Sequence, residues 1–96
     1  MAAYVVFIRE SVTDQAELDQ YNAKAGASTT GHALTPLAFY GAHEEWEGPA
    51  SDGLVILRFE DMDAARAWYN SPAYQEAKSH RLKGANYRVL LTEGVG

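Results

Sequence analysis

Apolar and polar positions along this chain switch from an alternating spacing to a helical one and back. Tyr4–Glu10, YVVFIRE, puts Tyr4, Val6 and Ile8 on one side of an extended chain and Val5 and Phe7 on the other, which predicts a strand apolar on both faces. Thr13 and Asp14 can cap a following helix, and Asp14 and Glu17 suit the positive end of its dipole. Leu18, Tyr21 and Ala25 then fall on one narrow stripe of that helix, which runs to about residue 28 and is ended by GASTTG, 26–31. Leu34–Tyr40 is a second strand; because Pro36 cannot donate to a ladder, the strand should be an edge, or carry residue 36 at its start or at a bulge. Gly48-Pro49 and Asp52-Gly53 are turn signals inside a long hairpin that leads to Leu54–Phe59, LVILRF, a third strand apolar on both sides.

Asp61 opens a helix rich in alanine, with Asp63 in its first turn. Asn70-Ser71-Pro72 interrupts it: Ser71 is a good N-cap, and Pro72 suits the first position of a new helix, where its missing N–H costs nothing. The second segment continues to Gly84, and Tyr87–Glu93 is the last strand. The order β-α-β-β-α-β predicts an α+β fold, ferredoxin-like, with a four-stranded antiparallel sheet. Two helices cover one face of such a sheet. Leu54 and Ile56 oppose Val55 and Leu57, so the uncovered face would be apolar as well. A second copy packing sheet to sheet, with twofold symmetry, satisfies both faces, and a homodimer is the expectation.

At 96 residues the chain is expected to be a single domain, 1–96, able to bury roughly 65% of its unfolded surface in one core. An apolar content of 47% separates it from disordered sequences. The apolar runs Val5–Ile8 and Leu54–Leu57 are far shorter than the ~20 residues that span a bilayer. MAAYVVFIRE has no basic region ahead of its apolar run, so it reads as a strand rather than a signal peptide. The absence of cysteine excludes disulfides and thiolate chemistry and fits a cytoplasmic setting. A net charge of −5 argues against nucleic acid, which needs a clustered positive surface.

Two kinds of chemistry-bearing cluster stand out. Trp68, Ser71, Tyr74 and Arg81 combine two aromatics, a hydroxyl and a guanidinium, a set that can line a cleft for a planar or carboxylate-bearing ligand. Packing and capping account fully for Trp68 and Ser71 and are the favoured reading of both, and Arg81 can pair with a carboxylate such as Glu47 or Glu93 instead of a ligand. The histidines His32, His43 and His80 lack the short spacing of a metal site, and no metal is expected; His32 could act as a general base. Trp46, inside HEEWEG, suits a contact with a neighbouring subunit or a lid. Phosphate loops, dinucleotide fingerprints and serine-nucleophile motifs are absent, Gly26-x4-Gly31 lacking the lysine of a phosphate loop, so no cofactor is expected.

The run Ala65, Trp68, Tyr69, Ser71, Pro72 and Tyr74, followed by Arg81, resembles a bacterial family of uncharacterised small proteins in the dimeric α/β-barrel superfamily. Tyr21, Gly31, Glu47-Gly48 and Glu93-Gly94 are weaker matches, and the likeness covers nearly the whole chain. His32 stands where the family pattern usually has a glycine, and Tyr40 where it usually has a basic residue. The resemblance implies a dimeric α/β barrel and a ligand cleft within each subunit, between helices and sheet, with Tyr21, His32, Trp68, Ser71, Tyr74 and Arg81 as its candidate residues. Relatives in the wider superfamily include cofactor-independent monooxygenases, isomerases and ligand-sensing domains. The functional expectation is therefore binding of a small organic metabolite. The alternatives are cofactor-free chemistry on a phenolic or quinone-like substrate, or a non-catalytic role in assembly.

Overall fold

Capping chemistry sets the helix boundaries in the computed structural model, which describes residues 1–96. The Asp14 carboxylate accepts from the N–H groups of Ala16 and Glu17 and starts α1, Gln15–Ala27. Asp61 accepts from Ala64 N–H and starts α2, Met62–Tyr69. Ser71 accepts from Tyr74 N–H and starts α3, Pro72–Gly84, with proline in its first turn. The same Ser71 hydroxyl donates to Trp68 O at 2.7 Å, so one side chain closes α2 and opens α3.

The strands are β1, Ala3–Val12, β2, Leu34–Phe39, β3, Gly53–Phe59, and β4, Ala85–Glu93, each within a few residues of its expected span. They form one antiparallel sheet in the order β2-β3-β1-β4. β2 is an edge, and its register shifts between Pro36 and Ala38, so the proline sits both at an edge and beside a bulge. The α+β, ferredoxin-like arrangement is as the element order predicted, with the second helix broken into α2 and α3.

Val5 pairs with Leu57 and Leu91, and Phe7 pairs with Val55 and Val89, which puts these side chains on the face beneath the helices. There Val5, Phe7, Val55, Leu57 and Phe59 join Leu18, Tyr21, Ala65, Trp68, Tyr74 and Ala77 in one buried cluster. The opposite face carries Val6, Ile8, Leu54, Ile56 and Leu90, all partly or largely exposed and without a covering layer in a single subunit.

α1 and α3 run antiparallel: Lys24 meets Glu76 at one end, and Gly84 meets the start of α1 at the other. His80 Nδ1 lies 2.6 Å from Glu17 Oε2 between them. Gly84 O accepts from both Thr13 and Asp14 N–H, and a Cβ at residue 84 would stand 2.7 Å from Leu18 N. Only a glycine allows that approach.

Candidate functional site

A cleft of about 400 Å³ opens between α1 and the helix-covered face of β2 and β3. Ala25 and Gly26 are small, so the C-terminal half of α1 leaves space above the sheet instead of filling it. Phe7, Val55 and Leu57 form the sheet side, and Leu34, Pro36 and Phe39 form the edge-strand side. Tyr21, Asn22 and Thr29 come from α1 and the turn after it, joined by His32, Tyr40 and Trp68. No lining side chain carries a fixed charge. His32 is half-buried, and neither its imidazole nor the Asn22 amide is hydrogen-bonded within the protein.

Of the six candidates read from the sequence, Tyr21, His32 and Trp68 line this cleft, whereas Ser71, Tyr74 and Arg81 do not. Ser71 is occupied with the helix break. Trp68 is 2% exposed and its Nε1 donates to Ser28 Oγ at 3.1 Å, while Ser28 Oγ donates to Ala25 O at 2.6 Å. Its ring packs 5.5 Å from Phe59 and 4.3 Å from Tyr74, so Trp68 is a core aromatic that also presents an edge to the cleft.

Tyr74 and Arg81 lie one layer behind, in the seam between α1 and α3. The Tyr74 and Tyr21 hydroxyls are hydrogen-bonded at 3.0 Å. Arg81 is 4% exposed, and its guanidinium carbon stands 5.4 Å from the Tyr87 ring centre and 6.0 Å from that of Tyr21. The alternative pairing of Arg81 with Glu47 or Glu93 does not occur, because α3 buries the guanidinium beneath aromatic rings and away from both carboxylates. Its Nε has no partner. Cation–π contact and the carbonyl end of α3 offset part of the burial cost, but neither neutralises the charge.

Tyr40 was not among the candidates, and it is the most constrained residue of the cleft. Its φ of 53° is in the left-handed region, the only such value outside glycine, and bulky residues adopt it at a cost of about 1–2 kcal/mol. Three contacts hold it there. Its hydroxyl is bonded to that of Tyr87 at 2.6 Å, and the Arg9 guanidinium lies 4.6 Å from its ring centre. Its ring also covers Gly53, where a Cβ would come 2.5 Å from Tyr40 Cδ1. A strained backbone held from several sides is a recurrent mark of a functional site. Both departures from the family pattern, His32 and Tyr40, line the cleft.

Burial raises the Tyr21 and Tyr40 phenols well above their ordinary range, with the neighbouring hydroxyls of Tyr74 and Tyr87 adding to the effect. Burial also raises Tyr74, although the Tyr21 bond and Arg81 pull the other way. All three are neutral phenols at physiological pH. His43 and Glu45 form a separate group with Ser51 in the exposed 41–52 loop, outside the cleft. No set of three His, Asp or Glu side chains converges at metal-binding geometry, and no helix is long and apolar enough to cross a membrane.

Solved structures share this fold at low sequence identity. A protein of unknown function from Rhodopseudomonas palustris, RPA0582, is 13% identical, with a TM-score of 0.78 over 99% of this chain and 83% of its own. SnoaB, a cofactor-independent oxygenase from Streptomyces nogalater, is 16% identical, with a TM-score of 0.67 over 99% and 94%. A dimeric ferredoxin-like protein of unknown function from Thermobifida fusca is 11% identical, with a TM-score of 0.66 over 98% and 92%. Among curated proteins none matches the sequence. The family described as Domain of unknown function (DUF1330) matches residues 2–95, and on that near-complete coverage the chain belongs to it.

Proposed function

We propose that this protein is a homodimer that binds a small, flat organic metabolite in the cleft between α1 and the sheet of each subunit. The observation that carries this reading is the cleft itself: about 400 Å³, walled by aromatic and aliphatic side chains, with two uncommitted polar groups at Asn22 and His32. That volume falls within the roughly 300–1,000 Å³ of small-molecule sites, and an apolar wall with a few placed polar groups is their usual composition. The open volume also speaks against a purely assembling role, for which a filled core would serve better.

The dimer is supported by the uncovered sheet face, whose Val6, Ile8, Leu54, Ile56 and Leu90 gain a partner only from another molecule. The Thermobifida neighbour is also described as dimeric. Size-exclusion with light scattering should give twice the subunit mass at micromolar concentration, and a monomer mass would overturn this part.

Ligand binding is tested by thermal shift against a panel of metabolites, because a ligand that binds only the folded state raises the melting temperature with concentration. Flat aromatic compounds should raise it in the native protein and not in Ala25→Phe, which fills the cleft. If no compound does so, the cleft is not a ligand site. A second reading, cofactor-independent oxygenation of a quinol-like compound, is favoured by the likeness to SnoaB and by His32 at the cleft. Dioxygen uptake with a bound quinol, lost in His32→Ala, would select it over simple binding.

A further inference from the structure

The polar groups around the cleft are unbalanced: they offer hydrogens and positive charge, with little to accept either. Tyr21 pairs with Tyr74 and Tyr40 with Tyr87; the further polar neighbours, Arg81 beside Tyr74 and Arg9 beside Tyr87, are themselves donors, and no carboxylate or carbonyl accepts from any of the four hydroxyls. Two hydroxyls joined by one hydrogen bond use one hydrogen, so each pair keeps a second O–H with no acceptor in the protein. Arg81 stands against the rings of Tyr21 and Tyr87, nine-tenths or more buried, with its Nε unpartnered and no carboxylate in contact. Arg9 lies over the Tyr40 ring and is offset only by Asp52, which accepts from its Nε at 3.1 Å at the solvent edge. His32 is the one further titratable group lining the cleft besides the two phenols. Two guanidinium charges therefore face one carboxylate, in a chain whose overall charge is −5. Buried donors left without acceptors are costly, and a charged acceptor satisfies them best.

We propose that the cleft selects, among flat ligands of its size, those carrying an acidic oxygen (a phenol, an enol or a carboxylic acid) and holds that oxygen as its anion against the hydroxyls of Tyr21 and Tyr40. This rests on the cleft being a ligand site, and it names the chemistry of the ligand. The phenols themselves stay protonated, since burial holds both above their ordinary range, so they act as neutral donors with the positive field of Arg81 and Arg9 behind them. Tyr21 and Tyr40 touch the ligand. Arg81 and Arg9 act through them as positioning and field-setting residues.

The probe is para-nitrophenol, whose colour reports its ionisation, compared with its methyl ether, para-nitroanisole, which cannot ionise. Equilibrium dialysis should show the phenol binding at least about tenfold more tightly than the ether at a pH where the phenol is partly ionised. The absorbance titration of the bound phenol should move down by about one pH unit, the shift that corresponds to a tenfold preference for the anion. Tyr40→Phe should lose most of that shift with circular dichroism unchanged. Arg81→Met should lose it as well, and Arg81→Lys should retain part of it, which guards against a loss of folding in the methionine variant. Equal binding of phenol and ether, with an unmoved titration, overturns this inference while leaving the cleft as a ligand site. Binding of neither compound overturns the cleft reading, and this inference falls with it.

Discussion

The hydroxyls of Tyr21 and Tyr74 meet at 3.0 Å and tie α1 to α3 directly behind the cleft, with Arg81, whose Nε has no partner, alongside. This seam fixes the inner wall of the cleft: Tyr21 forms part of the lining, Tyr74 holds Tyr21, and Arg81 supplies charge to both. Burial raises both phenols, and it raises Tyr40 likewise. A raised folded-state value means that their neutral form supports the fold below the ordinary tyrosine value, and that this support is lost as pH rises above it. Tyr21 and Tyr40 should therefore fail to ionise as the native protein is taken through pH 10, the ordinary value for the group, and Tyr74 should titrate above that value. Ultraviolet difference titration should show them ionising together with unfolding. Independent ionisation of all six tyrosines, with the far-ultraviolet spectrum unchanged, would contradict this.

Trp68 holds the other side of the same wall. Truncation of a fully buried indole costs about 3–5 kcal/mol. Trp68→Ala should lower the denaturation free energy by that amount, read from chemical unfolding. Ser28→Ala leaves the Trp68 N–H at the centre of the protein without its acceptor, and should cost about 1–3 kcal/mol without removing any packing.

Gly84 decides how closely α3 approaches α1. A methyl group there meets the backbone at Leu18 N, Asp14 O and Glu17 C, none of which can yield as a flexible side chain would. Gly84→Ala should destabilise by about 1–3 kcal/mol, as overpacking does, although alanine is the better helix former. An unchanged melting temperature would show that the seam can open.

Much of the fold follows from local chemistry that the sequence displays openly. Asp14, Asp61 and Ser71 are short polar residues ahead of helical spacing, and each is found capping the helix it announces. The two-faced apolar strands indicate the helix-covered layer and the unpartnered one alike. The cleft was less legible, because a cavity lies where two elements fail to touch, and periodicity gives the direction of a side chain but not its distance from the next layer. Phe7, Val55 and Leu57 read simply as strand residues, yet small Ala25 and Gly26 opposite leave them lining open space. Tyr74 and Arg81 were expected in the cleft and lie behind it, since the Gly84 approach draws α3 onto α1 and encloses them in the seam. Tyr40 was missed as a site residue because nothing in a β-rich run signals a left-handed backbone at its end.

In the 41–52 loop, the hydrogen bond to the Glu45 carboxylate raises His43, and the Ser51 carbonyl adds to this. The Ser51 hydroxyl and N–H hold Glu45 down at about 2. The raised histidine supports the loop until pH passes its folded value, and the lowered carboxylate supports it until pH falls towards about 2. Both contributions are present in full between pH 4.5 and pH 6.5, the ordinary values of the two groups. Proton NMR should find His43 titrating above 6.5, with Glu45→Gln moving it back down. An unmoved His43 in that variant would show that the pair does not form.

The cleft is tested most directly through Trp68. The chain has two tryptophans, so Trp46→Phe leaves Trp68, at the cleft wall, as the only indole. This variant should be titrated with single- and two-ring aromatic acids, phenols and quinones. Occupancy of the cleft predicts saturable quenching of Trp68 emission by at least one of these classes, abolished when Ala25→Phe fills the space. Quenching that is absent, rises linearly without saturation, or survives Ala25→Phe would contradict a ligand site between α1 and the sheet.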